Sequence, residues 1–249
     1  SVDFKNVSLT YSGSGAPSVE GINFKAMKGQ TIGVIGGTGS GKSSLVNLIP
    51  RLYDATQGEV LVDGVNVKDY DIEALRNKVG IVMQKAVLFK GTIRENMWMG
   101  KKGATDEQID EALEISQSKE FVDSKQGRLD YVIEQGGKNL SGGQRQRLTI
   151  ARAIVRKPDV LILDDSASAL DFATDAALRK AIRGMNNSPT VFIVSQRAAS
   201  LMYADLIIVL DDGQVAGMGT HDELLANCEV YKEIYESQFK KADSEGGVA

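Results

Sequence analysis

Thr31-Ile32-Gly33-Val34-Ile35-Gly36-Gly37-Thr38-Gly39-Ser40-Gly41-Lys42-Ser43-Ser44 is the stretch whose reading decides the fold. Thr31 to Ile35 is short, apolar and β-branched, the pattern of a buried strand. Ser43 to Ile49, stopped by Pro50, reads as a helix. Between them, Gly36 to Ser43 fits the spacing G-x4-G-K-[ST] with the flanks that this pattern requires. Glycines let backbone N–H groups converge on phosphate oxygens, and a helix N-terminus adds a favourable dipole. Gly36, Gly37, Thr38, Gly39, Ser40, Gly41, Lys42, Ser43 and Ser44 are therefore the candidate nucleotide-binding set. Lys42 is placed to reach the β- and γ-phosphates of ATP, and the Ser43 hydroxyl to ligate Mg²⁺.

A phosphate cradle needs a second carboxylate for its metal. Val160-Leu161-Ile162-Leu163-Asp164 supplies one at the end of another buried apolar run, and Asp164 is expected to hold Mg²⁺ through water. A third such run, Val191 to Val194, completes the strands of a mainly parallel sheet. Glu59 to Val62 alternates instead, and Asp63-Gly64 then supplies a tight turn before Val65-Asn66-Val67, which predicts a hairpin. In the middle of the chain Thr105 and Gln108 form a capping box, followed by Ile109, Ala112, Leu113 and Ser116 at helical spacing. A further helix follows Gly142-Gly143, with Leu148, Ala151 and Ile154 on one face. The predicted fold is α/β: a P-loop NTPase (RecA-like) core with an N-terminal antiparallel β subdomain and an inserted α-helical subdomain. The boundaries read as 1–83 and 151–236 for the core, 84–150 for the insertion and 237–249 for an unstructured tail.

Composition bounds the function. The 249 residues carry a net charge of −4, which argues against a nucleic-acid partner, since that would need a basic face. The single cysteine, Cys228, excludes an internal disulfide and suits a reducing compartment. The longest apolar runs are too short to span a bilayer. The abrupt start, Ser1-Val2-Asp3-Phe4, reads as a strand of a domain cut from something longer. Arg145, Arg147, Arg152 and Arg156 read as a solvated helix face. His221, alone, reads as structural and near a helix start.

Leu140-Ser141-Gly142-Gly143-Gln144, followed by Arg145-Gln146-Arg147, matches the signature of ATP-binding cassette (ABC) ATPases residue for residue, and the resemblance runs from Phe4 to about Phe239. It implies that the signature closes over the γ-phosphate held by an opposing P-loop in a head-to-tail dimer. Tyr11 falls where the family places an aromatic that stacks on adenine. Gln84 matches the glutamine that touches Mg²⁺ and links ATP to the transport domain, and Ser168-Ala169-Leu170-Asp171 matches the loop that crosses the dimer interface, with Ser168 and Asp171 its polar members. Glu134-Gln135-Gly136-Gly137, Gly91 to Asn96 and Gly219 to Leu224 resemble exporter segments. The resemblance implies transmembrane domains, fused N-terminally, and a place at the cytoplasmic face of a membrane.

Two positions depart from the family, and both concern hydrolysis. Asp165 stands where a glutamate general base is usual, and Gln196, in Ser195-Gln196-Arg197, where a switch histidine is usual. The expectation is a chain that binds ATP but hydrolyses it poorly, paired with a different chain carrying the missing residues, as in heterodimeric bacterial multidrug exporters. Three rival readings remain beside it. A chromosome-maintenance ATPase would place a coiled coil between Gly36 and Leu140, and no heptad run lies there. An importer ATPase subunit is opposed by the exporter-like segments. A regulatory ATP-binding module without turnover would fit Asp165 and Gln196 equally well.

Overall fold

The computed structural model describes residues 1–166 and 169–245, with the backbone alone from Phe239 on. In chain order the strands are β1 (Val2–Leu9), β2 (Val19–Ala26), β3 (Thr31–Gly36), β4 (Gln57–Val62), β5 (Val65–Asn66), β6 (Val79–Val82), β7 (Gly91–Thr92), β8 (Val132–Ile133), β9 (Val160–Asp164), β10 (Thr190–Val194), β11 (Leu206–Asp211) and β12 (Gln214–Gly219). The helices are α1 (Lys42–Asn47), α2 (Ile72–Lys78), α3 (Ile93–Trp98), α4 (Asp106–Ile115), α5 (Lys119–Asp123), α6 (Gly142–Ile154), α7 (Phe172–Arg183), α8 (His221–Asn227) and α9 (Glu229–Glu245). They fall into two compact units, Ser1–Arg76 with Thr190–Ala249, and Asn77–Pro189.

In the first unit, β2-β1-β4-β5 form an antiparallel sheet. The predicted hairpin is there: Val62 faces Val65, and both Asp63 (φ 50°) and Gly64 (φ 81°) take the left-handed conformation that a tight β-turn of this kind requires. The phenyl rings of Phe4 and Phe24 stack at 4.5 Å across β1 and β2. In the second sheet of this unit β3 lies between β10 and β11, parallel to both, with antiparallel β12 beyond β11. Every residue of β3 and β10 is buried, which is why these runs are apolar after their leading threonines, Thr31 and Thr190. Ile32, Val34 and Ile35 are each fully buried, worth about 1.5–3 kcal/mol apiece against exposure.

The end of this unit is helical. Thr220 and Glu223 form a capping box that starts α8. His221, the first residue of that helix, has Nδ1 at 2.8 Å from the hydroxyl of fully buried Tyr231, so its role is structural, as expected. Burial, with Tyr235 nearby, pushes the Tyr231 phenol up to about 12. Helix α9 continues through Glu245 instead of giving way to a tail near Phe239. Its sequence is rich in Glu and Lys and free of glycine and proline until Gly246, so nothing local stops it. Residues 246–249 lie outside the described residues.

In the second unit β6 and β9 pair in parallel, from Val79 with Val160 to Val82 with Leu163. Helix α6 packs Leu148, Ala151 and Ile154 inward at the predicted spacing, and Ile150 and Ala153 join them. Reciprocal capping boxes, Thr92 with Glu95, Thr105 with Gln108 and Ser141 with Gln144, start α3, α4 and α6. Each cap is worth about 1 kcal/mol.

The arginines of α6 and its end do not form a solvated face. None of the four is exposed. Arg147 donates to the Gln117 carbonyl at 2.5 Å and lies over the Phe121 ring; Arg152 donates to the Val87 carbonyl at 2.9 Å and lies over Phe89. Arg145 reaches the Gly137 carbonyl at 3.4 Å. Burial lowers the pKa of Arg147, Arg152 and Arg156. Arg145, Arg147 and Arg152 tie loops to the helix, with guanidinium donors on backbone oxygens.

Candidate functional site

The phosphate loop is built by close approach. A β-carbon on Gly36 would lie 2.2 Å from the Leu210 carbonyl oxygen. One on Gly41 would lie 2.3 Å from that of Ser18, and Gly41 also sits at φ +96°. Only glycine fits either place. Gly41 precedes α1 and brings no side-chain cap to it, so no side chain competes for the amides of that turn. Lys42 is folded into the loop: only 9% exposed, its ammonium donates to the carbonyls of Gly36 (2.9 Å) and Gly37 (2.6 Å). The loop thus holds a cation inside a ring of backbone.

Beside it, the Tyr11 hydroxyl donates to the Ser44 hydroxyl at 2.9 Å, and the ring meets Tyr53 edge-on with centroids 4.9 Å apart. Tyr11 is half-buried. Tyr11 is thereby fixed to the residue that follows Ser43, with part of its surface exposed. Gln196, exposed, follows β10; its carbonyl accepts from the Gln238 amide at 2.6 Å. Nothing in the sequence pointed to Tyr53 or Gln238.

The second unit carries the other candidates. Asp164 ends β9 and is 5% exposed. Asp165 is half-buried at φ 46°, a left-handed conformation that aspartate tolerates better than most residues. The exposed Gln84 donates from Nε2 to the Asp165 carboxylate at 3.2 Å, so two candidates far apart in sequence meet. Leu140 is buried, while Ser141 and Gly142 are exposed at the head of α6. Ser141 accepts from the Gln144 amide and donates its own N–H to the Gln144 side chain, and a β-carbon on Gly143 would lie 3.4 Å from the Ala169 carbonyl. Asp171 caps α7, accepting from the Thr174 amide at 2.9 Å and hydroxyl at 2.8 Å, which holds its carboxyl below the usual range. Ser168 lies outside the described residues.

Two of the exporter-like segments, Gly91 to Asn96 and Glu134 to Gly137, also lie in this unit. Gly91-Thr92 and Val132-Ile133 pair as β7 and β8. Fully buried Asn96 donates to the carbonyls of Phe89 and Thr92 and accepts from the Phe89 amide, which fixes the loop leading into α3. A cavity of about 280 Å³ is lined by Ile81, Val82, Met83, Val87, Thr149 and Arg152, among others.

A glycine cradle closing a buried strand, a lysine folded into it, and a buried strand ending in aspartate define the class: a P-loop ATP-binding domain. The family model described as ABC transporter matches residues 19–168. An uncharacterized ABC transporter ATP-binding protein of Bacillus subtilis, YfiB, is 43% identical over 244 residues, 98% of this chain and 42% of that protein. A Staphylococcus aureus protein named "Putative multidrug export ATP-binding/permease protein" is 39% identical over 237 residues, 95% of this chain and 41% of that one. A bacterial Atm1-family ABC exporter with ATP bound superposes with a TM-score of 0.90 at 32% identity, over 95% of this chain and 42% of that one. The chain belongs to the ABC transporter family, as one of its ATP-binding domains, with the P-loop NTPase fold. It spans about two fifths of the length of the curated relatives it matches. Among the described residues no helix is long and apolar enough to cross a membrane.

Proposed function

We propose that this chain is the ATP-binding domain of an exporter half-transporter at the cytoplasmic face of a membrane. It closes head-to-tail with a second, different nucleotide-binding domain, and its own P-loop retains ATP and hydrolyses it poorly. Transmembrane domains would be fused N-terminally in the whole protein. Lys42 and the amides of Gly36 to Ser44 would hold the phosphates, and Tyr11 the adenine. The donors proposed for Mg²⁺ are the Ser43 hydroxyl, the Asp164 carboxylate and the Gln84 side-chain oxygen. They are all oxygens, and the Gln84 nitrogen is already engaged with Asp165, so the set suits a hard cation. The bound ion would neutralise charge on the β- and γ-phosphates. Ser141 and Gly143, at an exposed polar helix start, would face the partner's ATP, with Leu140 anchoring the turn and Gln144 closing it; Ser168 and Asp171 belong to the loop assigned to the interface.

The observation that carries the reading is the pair Asp165 and Gln196. An aspartate withdraws its carboxylate by about 1 Å relative to glutamate, and a misplacement of that size costs about 10²-fold. A positioned base is itself worth about 10²- to 10⁴-fold. Gln196 would donate a hydrogen bond to the γ-phosphate but carries no charge. Two copies of this chain would build two weak sites, whereas the intact signature Leu140 to Gln144 is useful opposite a competent P-loop. The pair therefore calls for a partner with glutamate and histidine at these positions, and closed-dimer stability comes from ATP retained on this chain.

Phosphate release tests it. The chain alone should turn over slowly, and Asp165→Glu with Gln196→His should raise the rate at least about tenfold at dimer-forming concentrations, the gain that a repositioned base supplies. Brisk turnover by the unmodified chain, or recovery of a fully active transporter with no second chain, would sink the reading. A full transporter in which neither site turns over would favour a regulatory module.

A further inference from the structure

The segment after β10 leaves regular structure at Ser195, and one distant side chain takes over its backbone. Gln238 of α9 places both halves of its amide on it: Nε2 donates to the Gln196 carbonyl at 2.6 Å, and Oε1 accepts from the Ala198 N–H at 2.9 Å. Those two groups flank Arg197, so the peptide planes on either side of it are held together. Arg197 N–H in turn donates to the Ser195 hydroxyl at 2.9 Å, and Ser195 N–H to the Val34 carbonyl at 3.1 Å. The backbone that carries Gln196 is thus fixed from two directions, by the end of the strand and by the helix. Gln238 lies seven positions after fully buried Tyr231, two helical turns along the same face of α9. Tyr231 seats that face, Tyr235 packs on His221 one turn along it, and Gln238 follows in the next turn.

We propose that Gln238 is a positioning residue for the γ-phosphate-facing side chain: α9, through this clamp, sets where Gln196 stands, and so sets how strongly the P-loop prefers ATP over ADP. The inference rests on the reading of Gln196 given above. An amide suits the task because it alone offers one donor and one acceptor in a fixed plane. A glutamate keeps the length and the acceptor but turns the donor into a carboxylate opposite a carbonyl oxygen. An alanine removes both bonds. The side chain of Gln196 itself is exposed and its backbone belongs to no strand or helix, so without the clamp its position would spread over the conformations that an irregular loop samples.

The test compares Mg-ATP and Mg-ADP affinity by calorimetric titration of the 249-residue chain and of Gln238→Ala, Gln238→Glu and Gln196→Ala. Gln238→Ala should weaken Mg-ATP binding about three- to tenfold, the equivalent of one or two hydrogen bonds, with Mg-ADP binding unchanged. Gln238→Glu, close in shape and able to pack where alanine fails, should do the same. Exchange of the Ala198 amide hydrogen should accelerate about tenfold in Gln238→Ala as its acceptor is lost. Gln196→Ala separates the two ideas. If Gln196→Ala lowers ATP preference while both Gln238 variants keep the wild-type ratio, the clamp is overturned and the reading of Gln196 stands. If Gln196→Ala itself leaves the ratio unchanged, that reading falls and the clamp's role with it. Equal loss of ATP and ADP affinity in the Gln238 variants would reduce the clamp to general stability and overturn the proposal.

Discussion

Tyr11 holds part of the fold and is proposed to hold the adenine, and two substitutions pull these roles apart. Tyr11→Phe deletes only the hydroxyl, and with it the 2.9 Å bond to Ser44. That bond is worth about 0.5–1.5 kcal/mol to the fold. Tyr11→Ala removes the same bond and the edge-on pair with Tyr53, which adds about 0.5–1.5 kcal/mol beyond its area. Unfolding stability should therefore fall by about 1 kcal/mol for Phe and by about 1–3 kcal/mol for Ala. For a chain of this size each kcal/mol moves the melting midpoint by about 2–4 °C. Nucleotide affinity should split differently. Base-on-aromatic stacking is worth about 1–3 kcal/mol, so Tyr11→Ala should weaken Mg-ATP binding about 5- to 150-fold. Tyr11→Phe keeps the ring and should bind within about twofold of wild type, since every aromatic face stacks. Scanning calorimetry reads the first quantity and titration calorimetry the second. Unchanged affinity in Tyr11→Ala would remove Tyr11 from the site, and equal losses for Phe and Ala would make the hydroxyl the contact.

Gly41→Ala would force a β-carbon to 2.3 Å from the Ser18 carbonyl at φ +96°; left-handed strain of about 1–2 kcal/mol plus overpacking of about 1–3 kcal/mol should abolish Mg-ATP binding, and a variant that binds normally refutes the cradle. The Tyr231 phenol titrates near pH 12 when folded and near 10 when unfolded. The folded state therefore holds its proton more tightly, so the stability linked to it is complete below pH 10 and is lost as pH rises towards 12. The melting midpoint of wild type should fall more steeply than that of Tyr231→Phe across that window; parallel curves would refute the assignment.

What the sequence made legible was whatever depends on neighbours in the chain. The strand–glycine loop–helix of Thr31 to Ile49, the Asp63-Gly64 hairpin, the capping box at Thr105 and the stripe Leu148, Ala151, Ile154 all follow from local spacing. β12 escaped notice because it is glycine-bearing and never fully buried along its length, with no apolar rhythm to betray it. The arginines of α6 were misjudged for a different reason. Their spacing looks like a wet helix face, yet the carbonyls of Gln117, Gly137 and Val87 that receive them come from loops whose arrival no local pattern announces. Gln84 and Asp165 were each legible by resemblance, but their 3.2 Å contact across 81 positions was not. Gln238 carries no signal at all in one sequence.

The partners of β3 set a timetable for the newborn chain. The strand that presents the phosphate loop is flanked on both sides by β10 and β11, and its first amide donates to Asp205, 174 positions later. The carbonyl of Leu210 and the amide of Gly213, which touches Ser40, complete the enclosure of the loop. At about 5–20 residues per second, a ribosome needs roughly 10–35 s to deliver those neighbours after Ile35 emerges. During that interval a largely apolar strand waits without the chains that will shield it. The enclosure of the loop is complete only once β11 and Gly213 have been made, so a chain cut short before β11 carries the whole phosphate motif without the backbone that closes around it.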